Sequence, residues 1–342
     1  MIDLLVIGGG PAGLATAIHA ARAGLETVVA EPRPTPVDKA CGEGLMPGAV
    51  RALQRLGVDP DGRPFHGIRY LEAAGPRTAE ARFRTGHGLG VRRTALHAAL
   101  AARAEELGVR RLPHRVDDLR VTERAVTAGG WTARYAVAAD GLHSPVRRAL
   151  GLHRPADGDR PARYGQRRHY PVRPWTDLVE VYWSARAEAY VTPVGEESVG
   201  VAVLSSERLP FDRQLSRFPA LLERLGAAVG GPVRGAGPLR QTAGARVSGR
   251  VLLVGDAAGY LDALTGEGIA VALASAEAAV RCLAADRPAA YEHAWRRASR
   301  DYRLLTSALL AARHRPWLVP HLVPLAAALP PVFRTAVGLL AR

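Results

Sequence analysis

The chain has 342 residues, of which 48% are hydrophobic and 23% charged, a composition typical of a globular protein with one large or two medium domains. The net charge of +14 comes almost entirely from scattered arginines without interleaved aromatic residues, so nucleic-acid binding is not expected. Only two cysteines, Cys41 and Cys282, occur, and the first residues read as a strand and not as a signal peptide, which predicts a cytoplasmic protein. No apolar run is long enough for a spanning helix, and no metal site is predicted.

The first predicted element is a strand at residues 2–7, which is mostly apolar and so suited to burial on both faces. Glycines follow it at the spacing G-x-G-x-x-G: Gly8, Gly10 and Gly13. The first permits a tight turn, the second lets a pyrophosphate approach the backbone, and the third lets helix and strand pack closely. The helix that follows is expected over residues 11–23.

A second apolar strand is predicted at residues 25–30, and it ends at an acid, Glu31. A carboxylate at this place can accept both hydroxyls of an adenosine ribose, while the free N–H groups at the helix start hold phosphates. Strand, glycine turn, helix, strand and acid together predict a site for an ADP-containing dinucleotide.

Beyond this unit lies the segment Cys41-Gly42-Glu43-Gly44, ahead of a short predicted helix at residues 48–56. Two glycines separated by one residue indicate either backbone brought close to a flat or reactive group or a tight turn before a helix. The residues alone leave both interpretations open. Residues 65–90 alternate loosely, as strands leaving the first domain would, and residues 94–108 form an amphipathic helix preceded by two arginines.

A strand–turn–strand meander is predicted from residue 110 to about residue 131. The apolar strand at residues 135–139 then leads into an Asp140-Gly141 turn and a Ser-Pro helix start, which predicts a second phosphate-facing crossover. Residues 151–161 read as a linker. Residues 162–204 read as strands rich in tyrosine and tryptophan, and we place the second domain there, with the aromatic residues forming core or a ligand wall.

A helix is predicted at residues 209–225, and one more buried strand precedes a Gly255-Asp256 turn. Gly266 and Gly268 then open a long alanine-rich helix, and a further helix is expected over residues 288–313.

The tail at residues 317–340 is strongly apolar but contains four prolines, Pro320, Pro324, Pro330 and Pro331. Prolines at this frequency exclude one continuous spanning helix. The tail is therefore predicted to form short helices packed over the domain junction. The alternative is an interfacial patch that contacts a membrane or a strongly apolar substrate.

The N-terminal glycine turn, the Asp140-Gly141 turn and the Gly255-Asp256 turn together resemble the FAD-dependent oxidoreductases of the para-hydroxybenzoate hydroxylase type, the group A flavin monooxygenase superfamily. The stretch from Asp38 to Pro47, Asp-Lys-Ala-Cys-Gly-Glu-Gly-Leu-Met-Pro, is similar to the geranylgeranyl reductase family within that group. The resemblance runs to about residue 285. It implies an α/β (α+β) fold, with a Rossmann-like FAD-binding domain, an interleaved antiparallel-sheet substrate domain and a C-terminal helical region.

The resemblance also implies domain limits and a cofactor site. The FAD-binding domain would comprise residues 1–64, 90–155 and 245–285, the substrate domain residues 65–89 and 156–244, and the C-terminal helical region residues 286–342. FAD would be the cofactor, with NADPH or NADH as a transient reductant. The residues expected to bind FAD are Gly8, Gly10, Pro11, Ala12, Gly13, Glu31, Arg33, Cys41, Arg93, Val116, Asp140, Gly141, Gly255, Asp256, Gly266 and Gly268.

Among these residues the resemblance assigns the adenosine ribose to Glu31, the FAD chain to Arg93, with Arg92 as second choice, and the ribityl hydroxyls to Asp256. The helix that starts after Gly266 would point its N-terminus at the pyrimidine edge of the flavin. Reduced flavin carries negative charge there, and a helix N-terminus stabilises negative charge.

One strand departs from the family pattern. In the reductases the substrate strand reads aromatic-x-Trp-x-Phe-Pro, and here the corresponding residues are Glu188, Tyr190, Thr192 and Pro193. Hydroxyl groups thus replace hydrocarbon surface, which favours a substrate with polar groups. The Trp-x-Trp-x-Ile-Pro sequence of flavin-dependent halogenases does not occur, so halogenation is not favoured.

The leading hypothesis is a monooxygenase in which NADPH or NADH reduces FAD and dioxygen serves to hydroxylate or epoxidise an apolar or aromatic small molecule of phenolic, polyketide or isoprenoid origin. The alternative is an alkene reductase of the geranylgeranyl type that uses the same reduced flavin as hydride donor. A non-catalytic flavoprotein, supported only by the apolar tail, is the third interpretation.

Candidate catalytic residues are Cys41, His169 and Tyr190, and candidates for substrate contact are Tyr182, Tyr190 and Thr192. A lone histidine in an aromatic sheet, such as His169, is more often a structural residue. The expected partners are a small-molecule substrate, dioxygen and, weakly, a membrane surface through the apolar tail. The sequence leaves the identity of the substrate, the choice between NADH and NADPH and the oligomeric state open.

Overall fold

Two large sheets organise the chain, and their strands alternate along the sequence. The computed structural model describes residues 1–155 and 161–341. Its strands are β1 (Ile2–Ile7), β2 (Thr27–Ala30), β3 (Gly44–Leu45), β4 (Arg63–Phe65), β5 (Gly67–Glu72), β6 (Thr78–Arg82), β7 (Gly88–Gly90), β8 (Arg110–Leu112), β9 (Arg120–Val121), β10 (Val126–Ala128), β11 (Trp131–Ala138), β12 (His153–Arg154), β13 (Tyr164–Tyr170), β14 (Val179–Trp183), β15 (Ala187–Gly195), β16 (Ser198–Ser205), β17 (Arg234–Ala236), β18 (Thr242–Ala243), β19 (Val247–Ser248) and β20 (Val251–Leu253). Its helices are α1 (Pro11–Arg22), α2 (Pro47–Leu56), α3 (Arg93–Glu106), α4 (Pro145–Ala149), α5 (Phe211–Leu215), α6 (Pro219–Leu225), α7 (Gly268–Ala284), α8 (Tyr291–Ala298), α9 (Arg300–Arg313), α10 (Leu322–Ala328) and α11 (Pro330–Leu340).

The first sheet has the strand order β19-β20-β11-β1-β2-β8, with β10 on the edge of β11 and β9 beyond it. The central pairs, β20 with β11, β11 with β1, β1 with β2 and β2 with β8, are parallel. Strand β1 is almost wholly buried: helix α1 packs on the sheet, and α3 and α7 pack against α1, as expected for a parallel strand covered by helices. The predicted Rossmann-like unit is confirmed.

The second sheet has the order β17-β13-β16-β15-β14-β5-β6. It is antiparallel apart from one pair, β14 with β5, which is parallel. The predicted interleaved antiparallel sheet is thus present, and its one parallel pair arises because β5 comes from the early part of the chain and reaches β14 through a long crossover. Residues 156–160, which include the predicted start of the substrate segment and part of the predicted linker, lie outside the described residues, and the division into domains remains a prediction.

The second sheet is covered on both faces. Helices α5 and α6 pack on one face through a cluster that includes Phe211, Phe218 and Leu221. The other face carries a cluster with Leu310 of α9, Phe333 of α11 and residues of β5 and β14. The apolar tail therefore packs on this sheet, mainly against β5 and β6, as short helices.

Two predicted helices are each divided in the structure. The segment 209–225 forms α5 and α6, because Pro219 lacks an N–H group and starts a new helix. The segment 288–313 is divided at Ser299, whose hydroxyl donates to the carbonyl oxygen of Trp295 at 2.9 Å, a contact that bends helices.

Within the described residues, no single helix is long and apolar enough to cross a bilayer. The segment Val319–Ala328 and helix α11 together satisfy length and composition, but they meet at a bend of 102°.

Candidate functional site

The three glycine turns found in the sequence meet at one end of the first sheet. Gly8 ends β1 with φ at +106°, and a Cβ atom there would lie 2.5 Å from the carbonyl oxygen of Ala139, just before the Asp140-Gly141 turn. A Cβ atom on Gly255 would lie 2.7 Å from the Cβ of Ala12 in α1. Any side chain at Gly8 or Gly255 would hold the turns apart, and with glycine they converge.

Gly10 and Gly13 have different roles. A Cβ atom on Gly13 would lie 1.8 Å from the carbonyl oxygen of Gly8, so glycine is required for α1 to pack on β1. The nearest atom to a Cβ on Gly10 is Nη2 of Arg93 at 3.8 Å, and Gly10 borders an elongated cavity of about 260 Å³. The predicted residues that line this cavity are Gly10, Pro11, Ala12, Cys41, Arg93, Gly141, Tyr190, Thr192, Asp256, Gly266 and Gly268.

Glu31 lies at the carboxyl end of β2, beside the first glycine turn. Its carboxylate accepts a hydrogen bond from the N–H of Gly9 at 2.9 Å and from Nε of Arg33 at 2.7 Å. Burial acts to raise the pKa of this carboxyl, but the bonds from Arg33 and Gly9 outweigh it and lower the pKa overall. A charged carboxylate therefore sits where the sequence predicted the ribose acceptor, held in place by Arg33.

Charged side chains surround the middle of the cavity. Burial raises the pKa of Asp256, while the nearby cations Lys39, Arg93 and Arg147 oppose that rise. Arg93 is buried, and among the described residues its Nη1 atom has no hydrogen-bond partner. A cationic donor left unpaired beside Gly10 is suited to phosphate oxygens, so this part of the cavity fits the pyrophosphate of a dinucleotide.

Arg147, to which the sequence analysis gave no role, ties two of the turns together. It is fully buried and donates to the carbonyl oxygens of Leu142 at 2.9 Å and of Ala257 at 3.0 Å. Asp140 accepts a hydrogen bond from the N–H of Val146 at 2.9 Å and so caps α4. The N–H of Arg147 is bonded to the hydroxyl of Ser144 at 2.9 Å. The predicted crossover therefore presents Gly141 to the cavity, while the N–H groups at its helix start are bonded to Asp140 and Ser144.

The loop from Cys41 to Gly44 is fastened to the second sheet through Glu43, a residue that also received no role from the sequence. The Oε1 atom of Glu43 accepts the N–H of Arg93 at 2.8 Å, and Oε2 lies 2.6 Å from Nε2 of His169. These bonds hold Cys41 at the cavity wall. Burial raises the pKa of the Cys41 thiol, which therefore stays protonated at neutral pH.

The far end of the cavity is apolar, with walls from the second sheet and from the last helix. Met46, Phe65, Ile68, Val179, Val181, Leu204, Leu239 and Leu340 line it. Tyr190 donates its hydroxyl to the carbonyl oxygen of Leu264 at 2.9 Å, and Thr192 donates to that of Gly42 at 2.9 Å. The expectation that these hydroxyls favour a polar substrate is therefore not supported, because both are bonded within the chain.

Nine predicted site residues do not line the cavity. Six of them lie in or next to the glycine turns: Gly8, Gly13, Glu31, Arg33, Asp140 and Gly255. The other three are Tyr182, His169 and Val116. Tyr182 is fully buried among the residues under α5 and α6, and its hydroxyl donates to Glu180 at 2.8 Å, so its predicted substrate contact is wrong. His169 is bonded at both ring nitrogens, Nε2 to Glu43 and Nδ1 to Nη1 of Arg167 at 3.1 Å. Its ring does not line the cavity, and its predicted catalytic role remains a prediction. Val116 packs at the edge of the first core, and its contact with FAD remains a prediction.

The cavity also gains Tyr260, which the sequence analysis did not find. Its pKa is raised well above the usual value, chiefly by burial, so the phenol stays neutral. In the sequence, the one feature that could have identified Tyr260 as a cavity residue is its position between the Gly255-Asp256 turn and the Gly266 turn.

Glu267 provides a test of the electrostatics at the start of α7. Its Oε2 atom is buried without a hydrogen-bond partner among the described residues, and burial, followed by the charge of Asp301, raises the pKa to about 7. A raised carboxyl pKa costs folded-state stability as the pH rises from the unfolded value through the folded one. Glu267→Gln should therefore increase the free energy of unfolding by on the order of 3 kcal/mol at pH 8, and change it little near pH 4.5.

Urea unfolding at the two pH values measures this difference. The control is Glu277→Gln at an exposed position of the same helix, which should alter the free energy by less than about 0.5 kcal/mol at either pH. An equal effect of Glu267→Gln at both values would contradict the burial of this carboxyl.

Comparisons with known proteins agree with this geometry. Residues 1–165 match the family model described as FAD binding domain. The menaquinone reductase of Mycobacterium tuberculosis (strain ATCC 25618 / H37Rv) is 31% identical over 310 residues, which cover 82% of this chain and 76% of the relative. The digeranylgeranylglycerophospholipid reductase 2 of Methanothermobacter thermautotrophicus is 32% identical over 309 residues, which cover 81% and 76%.

A solved structure, a geranylgeranyl bacteriochlorophyll reductase-like protein from Thermoplasma acidophilum, superposes with a TM-score of 0.71 at 23% identity. The match covers 100% of this chain and 91% of that one. At this level of identity the likeness shows the fold alone.

The parallel sheet, the converging glycine turns and the matched FAD-binding domain define an FAD-dependent oxidoreductase. With relatives above 30% identity over most of its length, the chain belongs to the geranylgeranyl reductase-type group A flavoproteins.

Proposed function

We propose that this protein reduces carbon–carbon double bonds in an isoprenoid chain, with FAD as hydride donor and NADPH or NADH as its reductant. The observation that carries this proposal is the apolar end of the cavity, where the hydroxyls of Tyr190 and Thr192 are already bonded to carbonyl oxygens of the chain. A hydrocarbon chain can fill such a space without leaving a buried polar group unpaired. The names of the relatives, which are reductases of a prenylated quinone and of a prenylated lipid, support the same class of substrate.

The chain's own groups would hold the cofactor along the cavity. Glu31 is placed for the ribose, Arg93 and Gly10 for the pyrophosphate, and Asp256 for the ribityl chain. Gly266 and the start of α7 also border the cavity. The backbone N–H groups at this helix start can stabilise negative charge on a bound flavin.

Bound FAD supplies hydride transfer to one carbon of the double bond. The other carbon needs a proton, and two neutral groups at the cavity wall can hold one, the thiol of Cys41 and the phenol of Tyr260. The apolar residues of β5 and β14 exclude water from the same space.

Monooxygenation, the leading hypothesis from the sequence, becomes the second candidate. It was favoured because Tyr190 and Thr192 offered hydroxyls to a polar substrate, and those hydroxyls are committed elsewhere. The flavin itself is able to perform either reaction, so the two must be separated by experiment.

The test incubates the holoenzyme with NADPH or NADH and a menaquinone or geranylgeranyl lipid in detergent, with and without oxygen. We expect a double bond of the isoprenoid chain, and not the quinone ring, to gain two hydrogen atoms at an equal rate in the absence of oxygen. A product that gains an oxygen atom, with matching consumption of dioxygen, would overturn the proposal in favour of the monooxygenase.

The two cysteines provide matched variants for the proton step. Cys41→Ala should slow substrate reduction by about 10²-fold, the usual contribution of a general acid, while FAD content and the rate of flavin reduction stay unchanged. Cys282→Ala, in the core between α7 and the first sheet, should leave all three measurements unchanged. Full activity of Cys41→Ala would assign the proton to Tyr260, which Tyr260→Phe then tests.

A further inference from the structure

The C-terminal tail has an unusual charge distribution for this chain. From residue 302 to residue 342 it contains five arginines and no aspartate or glutamate, whereas the whole chain has 46 basic and 32 acidic residues. Arg313 of this group is buried against Glu188, but Arg315 and Arg334 are exposed. In the described part of the tail, the exposed charged side chains are therefore all arginines.

Exposed apolar side chains collect where the last two helices meet. Leu325, Leu329 and Val332 lie around the 102° bend between α10 and α11, and we call these three residues the tail corner. Leu325 lies on α10, Leu329 at the break between the two helices and Val332 in the first turn of α11. Leu329 is 50% exposed and Val332 is 63% exposed, and the exposed Pro330 and Pro331 lie between them.

The opposite face of α11 forms part of the cavity wall. Phe333, Val337 and Leu340 are buried on that face, and Leu340 lines the cavity. The ring of Phe333 lies 4.8 Å from that of Tyr70, another cavity residue. A single helix thus separates the apolar cavity from the exposed apolar corner.

We propose that the tail corner inserts into the surface of an anionic lipid bilayer and that the isoprenoid substrate enters the cavity from that bilayer beside α11. Apolar residues flanked by arginines bind this interface, where hydrophobic burial and attraction to anionic headgroups act together. Helix α11 has 11 residues and is about 17 Å long, too short to span a hydrocarbon core of about 30 Å, so the tail lies in the surface. The substrate part of this inference rests on the proposed function, and the docking does not.

A second copy of the chain is a poorer partner for the tail corner. It would bring together two faces that carry arginine and no acid, and like charges facing each other oppose association. An anionic lipid surface supplies the missing negative charge.

The experiment sediments the full-length holoenzyme with vesicles of phosphatidylcholine alone or mixed with phosphatidylglycerol. We expect binding to the anionic vesicles that weakens with added salt. The double variant Leu329→Asp, Val332→Asp should bind at least about 10-fold more weakly. The control is Val229→Asp, at an apolar position that is 84% exposed in the loop after α6, and it should bind like the wild type.

Activity measurements separate the docking from the proposed reaction. The double variant should keep its FAD content and its rate with detergent-dispersed substrate, and lose rate only with substrate embedded in vesicles. Binding without any reduction would support the docking and contradict the proposed function. If the wild-type protein does not bind anionic vesicles, or if it dimerises through the tail corner, the docking proposal is overturned, whatever the activity of the protein in detergent.

Discussion

Replacing Gly10 by alanine should leave the fold of the apoprotein intact and weaken FAD binding by at least about 30-fold, or about 2 kcal/mol. The structure leaves room for the new methyl group, because its nearest protein neighbour is the flexible end of Arg93 at 3.8 Å. The backbone at this position is extended, with φ at −72°, so alanine introduces no strain. The methyl group would instead take up space at the start of α1, where the pyrophosphate is expected to approach.

FAD titration followed by flavin fluorescence measures the affinity, and thermal unfolding of the apoprotein measures the fold. Alanine variants of two other glycines serve as controls. Gly13→Ala should damage the apoprotein itself, because its Cβ would overlap the carbonyl oxygen of Gly8 at 1.8 Å. Gly338→Ala in α11, with no atom within 4 Å of its Cβ, should change neither measurement appreciably. Unchanged FAD affinity in Gly10→Ala would place the cofactor elsewhere.

A second large effect is expected at Glu188, where the second sheet meets the C-terminal helices. Its fully buried carboxylate accepts Nη2 of Arg163 at 2.7 Å and also pairs with Arg313 of α9. Arg163 in turn bonds Asp262 at 2.9 Å. Removing one charge from a buried cluster leaves its partners uncompensated, and this costs about 3–5 kcal/mol.

Glu188→Gln should therefore lower the free energy of unfolding by about 3–5 kcal/mol, measured by urea unfolding of the holoenzyme. The matched control is Glu196→Gln, whose carboxylate is 82% exposed and pairs with Arg63 at 2.6 Å. Surface pairs of this kind contribute about 1 kcal/mol or less, so the control should unfold close to the wild type. Equal stability of both variants would show that the buried cluster does not hold the tail to the sheet.

The N-terminal unit could be predicted almost completely because its chemistry is local. Gly8, Gly10 and Gly13 lie within six residues, and Gly8 and Gly13 are required by close backbone approaches between the strand, the turn and the helix, while Gly10 leaves open space beside the cavity. Glu31 follows from the length of one strand–helix–strand unit. The prolines of the tail likewise limited its helices to short ones.

The face of a side chain in the second sheet could not be predicted, because it depends on the pairing register of strands far apart in sequence. Tyr182 and Tyr190 looked equivalent in the sequence, but Tyr182 pairs with Ala189 and Val181 pairs with Tyr190. Paired residues share a face, so Tyr190 and Val181 face the cavity while Tyr182 faces α5 and α6.

The sequence by itself determined the FAD-binding class of this protein and predicted the glycines and the acid of the site, because these residues lie within one short strand–helix–strand unit. Only the tertiary structure decided the polarity of the end of the cavity that is proposed to hold the substrate. The hydroxyls of Tyr190 and Thr192 find their partners at Leu264 and Gly42, which are 74 and 150 residues away along the chain. A hydroxyl can donate to a substrate only if no carbonyl of the chain already accepts its proton, and that depends on which loops the fold brings against the sheet.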